Sequence, residues 1–415
     1  MRARRLTVLQ LLLPAALALG ASSGADPATA IRPHAPSQND TALVASQTPP
    51  FQLIRDLSDL QEQIVAGRHD ALSKQATLAR EISENLTRVD APAWTDARNR
   101  MGLIKYVLTG GHPDALERRL AENIFPETEL LIARGVLDYA QGRRAAAAER
   151  LDTVEPRALG PSLAGHIALI KAILVRDTNT AAARGFCDEA RLLSPGTAVE
   201  EAALRLAIDM AVAQGDAIGF DRTVLRYAYR FPRSLYRPKL DARVARILAA
   251  RRHDPDGGFG LATTVAEQLP DAERSAFFSE LAEAALRAGN LATAARAARS
   301  AVDLIRPLGG DTVALRAIEG AALVTGNARK EGLQVLANAE AAISSASTRE
   351  LIAAAHQLAA AIAAGPDRLP PDSPFPDQNP PVGQRPDKDN RSVRTITIVM
   401  HKLSQIDALL EGRGP

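Results

Sequence analysis

A glycine that recurs just before a new helical segment constrains this fold more than any other feature. The motif occurs at Gly67, Gly142, Gly215, Gly289 and Gly326. Consecutive glycines lie 75, 73, 74 and 37 residues apart, so each long interval is about twice the short one. Glycine closes a helix end at little cost because it adopts positive φ without a Cβ clash. The spacing predicts a helical hairpin about every 37 residues.

Further chain breaks fall midway along the long intervals, near Gly110, Asp177 and Arg252–His253. With these breaks included, the repeat accounts for about eight hairpins. A single hairpin cannot bury its apolar face, whereas stacked neighbours bury it jointly. The sequence therefore predicts an all-α fold, a tetratricopeptide-like α-solenoid of about eight helical hairpins over residues 51–364.

The residues between the turns support this prediction. Leu57, Leu60 and Ile64 fall on one helical face, and no run of alternating β-branched residues indicates a sheet. Aromatic residues make up only 4% of the chain, which suits closely packed helices with an alanine and leucine core. Small residues around the Gly289 turn are expected to let two helices approach closely: Ala282, Ala285, Ala294, Ala298 and Ala301.

The N-terminus has the residue order of a secretory signal peptide. Arg2, Arg4 and Arg5 precede an apolar run from Leu6 to Leu19, which is followed by small residues. The run is shorter than the roughly 20 residues that span a bilayer. We therefore expect residues 1–25 to be a signal peptide, cleaved at about residues 20–25, and the mature protein to be periplasmic without a membrane span. Residues 26–50, rich in Pro, Ser, Thr and Ala, are expected to form a disordered linker.

The C-terminal composition changes abruptly after the helical body. Residues 365–392 are proline-rich and predict a linker that cannot join a helical core. Residues 393–411 recover an apolar helical period and predict a C-terminal amphipathic helix. This helix is expected either to fold back onto the solenoid or to dock on a partner groove.

Charge and motifs exclude several function classes. Lys and Arg number 50 against 48 Asp and Glu, so bulk charge does not favour nucleic-acid binding. The seven histidines are scattered, and none is paired at the helical spacing of zinc proteases. Cys187 is the only cysteine, which excludes a disulfide framework and a cysteine-based zinc site. No phosphate-binding glycine motif occurs, so we expect no cofactor, no metal and no enzymatic activity.

One stretch, residues 220–239, combines tyrosines with arginines. Such residues dominate protein-binding hot spots because they bury a large area and still form hydrogen bonds. A simpler interpretation is that Tyr227 and Phe231 pack inward while the arginines are solvated. The predicted partner-binding residues are Arg226, Tyr229, Arg230, Arg233, Tyr236 and Arg237.

Four colinear stretches carry a family resemblance. They are FQLIRDLSDLQEQIVAGRHDAL from residue 51, YVLTGGHPDALERR from residue 106, SPGTAVEEAALR from residue 194 and LRYAYRFPRSLY from residue 225. The chain resembles the periplasmic motility protein MotC family of rhizobial-type flagellar motors over roughly residues 51–305. The proline-rich flanks and the terminal segment lie outside this likeness.

The resemblance implies a non-enzymatic periplasmic protein that binds the periplasmic part of the stator subunit MotB and is needed for motor torque. It carries over no catalytic residues. Two alternatives stay open: a generic periplasmic tetratricopeptide-like scaffold for another envelope assembly, and a peptidoglycan-cleaving enzyme. The enzyme would need a further lysozyme-like domain of about 150 residues, for which the helical repeats leave little room.

Overall fold

The computed structural model describes residues 48–251, 256, 258–325, 328–342 and 345–364. This part of the chain contains seventeen α-helices and no β-strand, which confirms the all-α prediction. Backbone contacts divide the chain into two compact units that meet in sequence between Arg237 and Pro238. The predicted segments 1–25, 365–392 and 393–411, and all but the last three residues of 26–50, lie outside the described residues.

Unit 1 contains ten helices. They are α1 (Pro50–Val65), α2 (Asp70–Arg88), α3 (Ala97–Leu108), α4 (Asp114–Ala121), α5 (Glu127–Ala140), α6 (Arg144–Asp152), α7 (Pro161–Val175), α8 (Thr180–Leu193), α9 (Ala198–Gln214) and α10 (Ala217–Arg230). Short 3₁₀ segments precede α3 and α7, at Ala91–Thr95 and Pro156–Ala158.

Unit 2 contains the remaining helices, with α11 beginning at the boundary. They are α11 (Arg237–Ala249), α12 (Phe259–Ala266), α13 (Asp271–Arg287), α14 (Leu291–Ile305), α15 (Val313–Val324), α16 (Arg329–Glu340) and α17 (Ala346–Ala364). A 3₁₀ segment at Arg306–Leu308 follows α14. No described helix has the length and apolarity needed to cross a membrane.

Glycines at positive φ close the turns between consecutive helices, as the sequence predicts. Five of these glycines each lie between two consecutive helices. They are Gly67 (φ +91°) between α1 and α2, Gly110 (+105°) between α3 and α4, Gly142 (+78°) between α5 and α6, Gly215 (+66°) between α9 and α10, and Gly289 (+70°) between α13 and α14. Near Asp177 the chain turns without a glycine, and Asn179 caps α8 by accepting a hydrogen bond from Ala182 N. The predicted turns at Gly326 and Arg252–His253 lie outside the described residues.

Within unit 1, each odd-numbered helix packs on the even-numbered helix that follows it. Helix α3 also contacts α1, α5 and α7, and α7 contacts α9. A less local contact joins α1 to α9. Beside it, Leu235 N donates a hydrogen bond to Ile64 O at 3.3 Å. The first helical pair of unit 1 therefore lies against the last one, a closure that the repeat spacing does not predict.

Small residues let the helices of unit 2 approach closely. Ala282, Ala285, Ala294, Ala298 and Ala301 are all fully buried where α13 packs on α14, which confirms the prediction for the Gly289 turn.

The next pair, α15 and α16, depends on glycine in the same way. A Cβ on Gly332 would lie 2.7 Å from Val324 N, and one on Gly320 would lie 2.7 Å from Leu336 Cγ. Either substitution would push the two helices apart.

The turn glycines of unit 1 give a stability prediction. Both Gly142→Ala and Gly67→Ala force alanine into positive φ, which costs about 1–2 kcal/mol. A Cβ on Gly142 would meet nothing within 4 Å, whereas one on Gly67 would lie 2.5 Å from Arg233 O. We expect Gly67→Ala to lose about 1–3 kcal/mol more than Gly142→Ala because it also disturbs this packing. Urea unfolding followed by circular dichroism measures both, and equal losses would contradict the close approach at Gly67.

Candidate protein-binding site

The six predicted partner-binding residues lie on α10 and on residues 231–237 after it. The structure separates them by exposure. Arg226, Tyr229 and Arg233 are exposed, and Arg230 is about half exposed. Tyr236 is half-buried, and Arg237 is buried. These residues therefore do not form one continuous surface.

Arg237 does not belong to the exposed face that the sequence predicts. Its side chain is only 2% exposed, and its guanidinium Nη1 donates to Ala228 O at 3.4 Å and to Pro232 O at 3.2 Å. The chain folds back after α10, so this arginine meets carbonyl groups of the preceding turn. It stabilises the turn because it satisfies backbone acceptors that the interior would otherwise leave unpaired.

Tyr236 and Arg230 are both engaged by α9. The Arg205 guanidinium lies 4.7 Å from the centroid of the Tyr236 ring, and burial raises the pKa of Tyr236 to about 12. Arg230 pairs with Glu200 through Nη2–Oε2 at 2.7 Å and Nε–Oε1 at 3.2 Å. A two-point contact of this kind orients the guanidinium and offsets much of its charge.

A buried polar cluster lies on the inner side of the same stretch. Glu201 is fully buried, and its Oε1 accepts from Tyr227 Oη at 2.6 Å and Ser234 Oγ at 2.5 Å. Burial raises the pKa of Glu201 above its usual range. Tyr227 also packs on Phe231, with ring centroids 5.8 Å apart. The inward placement of Tyr227 and Phe231 thus agrees with the simpler sequence interpretation.

The sequence pattern alone does not identify Glu201 as a buried, hydrogen-bonded carboxylate. The only indication of its burial in the sequence is its position. In AVEEAALRLAI it lies among small and apolar residues of α9, and these residues are buried. A carboxylate in such a run is expected to have a polar partner, but the partners come from α10 and from the turn after it. Periodicity within α9 cannot identify them.

A second carboxylate, Glu62, links the two ends of unit 1. Its Oε2 accepts from Ala198 N, the first residue of α9, at 2.9 Å. Negative charge at a helix N-terminus is stabilising because it satisfies a free N–H and opposes the helix dipole. Burial nevertheless raises the pKa of Glu62 to about 7, while the Ala198 hydrogen bond and the charge of Lys105 act in the opposite direction. Burial lowers the pKa of Lys105 itself.

The outer side of α10 carries predicted residues that neither α9 nor the interior engages. Ile218, Arg222, Arg226 and Tyr229 are spaced by four, four and three residues and so share one helical face, which we call the α10 face. Ile218 is 76% exposed and Tyr229 57% exposed, so this face presents two large hydrophobic side chains to solvent. The face thus combines apolar area with arginine charge.

The described residues do not provide a metal site or a reactive thiol. In this part of the chain, no group of three or more His, Cys, Asp or Glu side chains is placed to hold a metal ion. Cys187 is buried in α8, and burial raises the pKa of its thiol to about 12. The side chain therefore stays protonated near neutral pH and packs as a small apolar group.

Glu62 gives a pH-dependent prediction. Its pKa is about 7 in the folded protein against 4.5 in the unfolded chain, so the folded state binds this proton more tightly. The resulting stabilisation is complete below about pH 4.5 and is lost as the pH rises through about 7.

Raising the pH from about 5 to about 8 should therefore lower the free energy of unfolding of the natural protein by about 2 kcal/mol relative to that of Glu62→Gln. Urea unfolding at each pH measures the shift. The exposed carboxyl of Glu149 on α6 supplies the control, Glu149→Gln. A difference for Glu62→Gln that does not vary with pH would rule out this titration.

Comparison with known proteins identifies related sequences. A family model described as Chemotaxis protein MotC matches residues 1–415. A protein named Chemotaxis protein MotC, from Rhizobium meliloti (strain 1021), is 27% identical to this chain over 255 residues. The alignment covers 61% of this chain and 58% of the relative, less than two thirds of its length. No solved structure matches the chain.

Proposed function

We propose a function from the premise that this chain belongs to the MotC family of chemotaxis proteins. The protein acts as a non-enzymatic component of the flagellar motor in the periplasm, where it binds the periplasmic part of the stator subunit MotB and is needed for torque. The family match over the whole chain carries the motor assignment. The signal-peptide pattern of residues 1–25 supports the periplasmic location.

The helix pairs support a tetratricopeptide-like arrangement within each unit. Consecutive helices pair as α1–α2, α3–α4, α5–α6, α7–α8, α9–α10, α13–α14 and α15–α16. Most of these pairs join through a glycine at positive φ. Stacked helical pairs of this type are a common scaffold for protein binding because they present side chains from many repeats on one rigid surface.

The α10 face is the surface that best fits a protein partner in unit 1. It exposes two large apolar side chains, Ile218 and Tyr229, together with Arg222 and Arg226. Tyrosine and arginine contribute strongly to binding when a partner desolvates them. The buried cluster of Tyr227, Glu201 and Ser234 holds the inner side of the same helix rigidly, so little flexibility is lost on binding.

Binding at a rigid face suggests how the protein supports torque. A partner that samples active and inactive conformations shifts toward the form that a rigid surface binds more tightly. We propose that the α10 face binds the active form of the MotB periplasmic region. No bond is made or broken in this process.

The α10 face gives a motility prediction. Arg226→Ala combined with Tyr229→Ala should weaken binding of the MotB periplasmic region at least about tenfold, since each truncation removes a hot-spot side chain. In the bacterium that encodes this chain, we expect slower swimming in soft agar and slower rotation of tethered cells. Filaments and protein levels should be unchanged.

A matched control comes from α5, where Leu131 and Arg134 form another exposed apolar and arginine pair three residues apart. Leu131→Ala with Arg134→Ala should leave binding and swimming unchanged. If gene deletion abolishes swimming but the α10 double variant swims normally, the partner binds elsewhere. If gene deletion itself leaves swimming normal, the motor role is wrong, and a scaffold role in another envelope assembly becomes the better explanation.

A further inference from the structure

A groove runs between α1 and α2 on the side of the pair that faces away from the core of unit 1. Its volume is about 580 Å³. Half-buried Leu60 and Leu78 form its apolar floor, and its charged rim contains Asp56, Asp59, Lys74 and Glu81. The opposite side of α1 packs on α3 and α9, and α2 packs on α4.

The groove is the face on which a preceding hairpin would stack in a repeat array. Such an end face needs a cover because apolar side chains at the last repeat otherwise remain in contact with water. Leu60 and Leu78 are both only partly buried, so the first hairpin of unit 1 is incompletely covered.

Thr48, the first described residue, lies at one end of this groove. Asn85 Nδ2 donates to Thr48 O at 3.3 Å, which holds the first described residue against α2. Thr48 lines a second depression of about 180 Å³ together with Leu53 and Glu81. Because Glu81 also lines the α1–α2 groove, the two depressions adjoin, and Thr48 lies beside the groove.

The residues just upstream have a composition that suits this groove. Residues 41–47 read TALVASQ, with no charged side chain that would be left buried without a partner. Leu43 and Val44 supply apolar area for the floor. From Thr48, the five residues back to Leu43 reach up to about 17 Å when extended. Gln47, Ser46 and Thr41 can donate hydrogen bonds to rim carboxylates.

We propose that residues 41–47 of the same chain lie along the α1–α2 groove and cap the first hairpin, with Leu43 and Val44 against Leu60 and Leu78. Direct attachment to Thr48 favours this occupant over any molecule in solution, since a short tether gives a millimolar effective concentration. The proposal is independent of the role in the motor.

Disulfide crosslinking tests the proposal, because the one natural cysteine is buried and should react slowly. Cys187 is 1% exposed, so introduced cysteines are expected to dominate mild oxidation. In the full mature chain, Val44→Cys with Thr77→Cys places one thiol on the segment and one on the groove wall. We expect an intramolecular disulfide to form at least about tenfold faster than in the control Val44→Cys with Glu149→Cys, whose second position is exposed on α6. Equal rates would overturn the proposal, as would disulfides formed only between molecules, which indicate a second copy in the groove.

Hydrogen exchange supplies a second measurement that needs no cysteine. Replacing residues 41–47 by a Gly-Ser sequence of equal length keeps the connection but removes Leu43 and Val44. We expect the backbone amides of the α2 residues that line the groove to exchange at least about threefold faster, while the exchange rates of α7 amides stay unchanged. An α2 exchange rate that does not respond to the replacement would show that residues 41–47 do not cover the groove.

Discussion

The closure of unit 1 includes a hydrogen bond between residues that are 136 positions apart in sequence, in which Glu62 accepts from Ala198 N. The carboxylate closes the N-terminus of α9, which lies at the far end of the unit from α1 in chain order. Leu235 N reinforces the closure by donating to Ile64 O. Gly67 completes it, since only a residue without Cβ fits against the carbonyl of Arg233 at positive φ.

This closure places ionisable side chains in a poorly solvated environment. Burial raises the pKa of Glu62 to about 7 and lowers that of Lys105, so both charged forms are less favourable here than in water. The buried cluster around Glu201 behaves similarly, because Tyr227 and Ser234 satisfy one carboxylate oxygen within the interior. Removing one member of such a cluster costs more than its bond is worth, since the remaining polar atoms stay buried.

The tyrosine and arginine stretch after Phe220 therefore has an inward and an outward side. Tyr227 and Arg237 face inward and hold the turn that follows α10. Arg226 and Tyr229 face outward, on the surface that we propose for a partner. The inner contacts make the outer surface rigid, which is the property that a protein selecting one conformation of its partner needs.

Sequence alone determined the local features of this protein. Helix content, turns at Gly67, Gly142, Gly215 and Gly289, and the small residues between α13 and α14 all follow from backbone preference and helical period, which act within a few residues. It also carried the family resemblance and the exposure of Arg226 and Tyr229.

Only the tertiary structure decided the rest. The burial of Arg237, the partners of Glu201 and the contact of Glu62 with Ala198 depend on groups supplied by other segments. A polar or charged side chain enters the interior only where such partners meet it, and neither spacing nor composition records which distant segments come together.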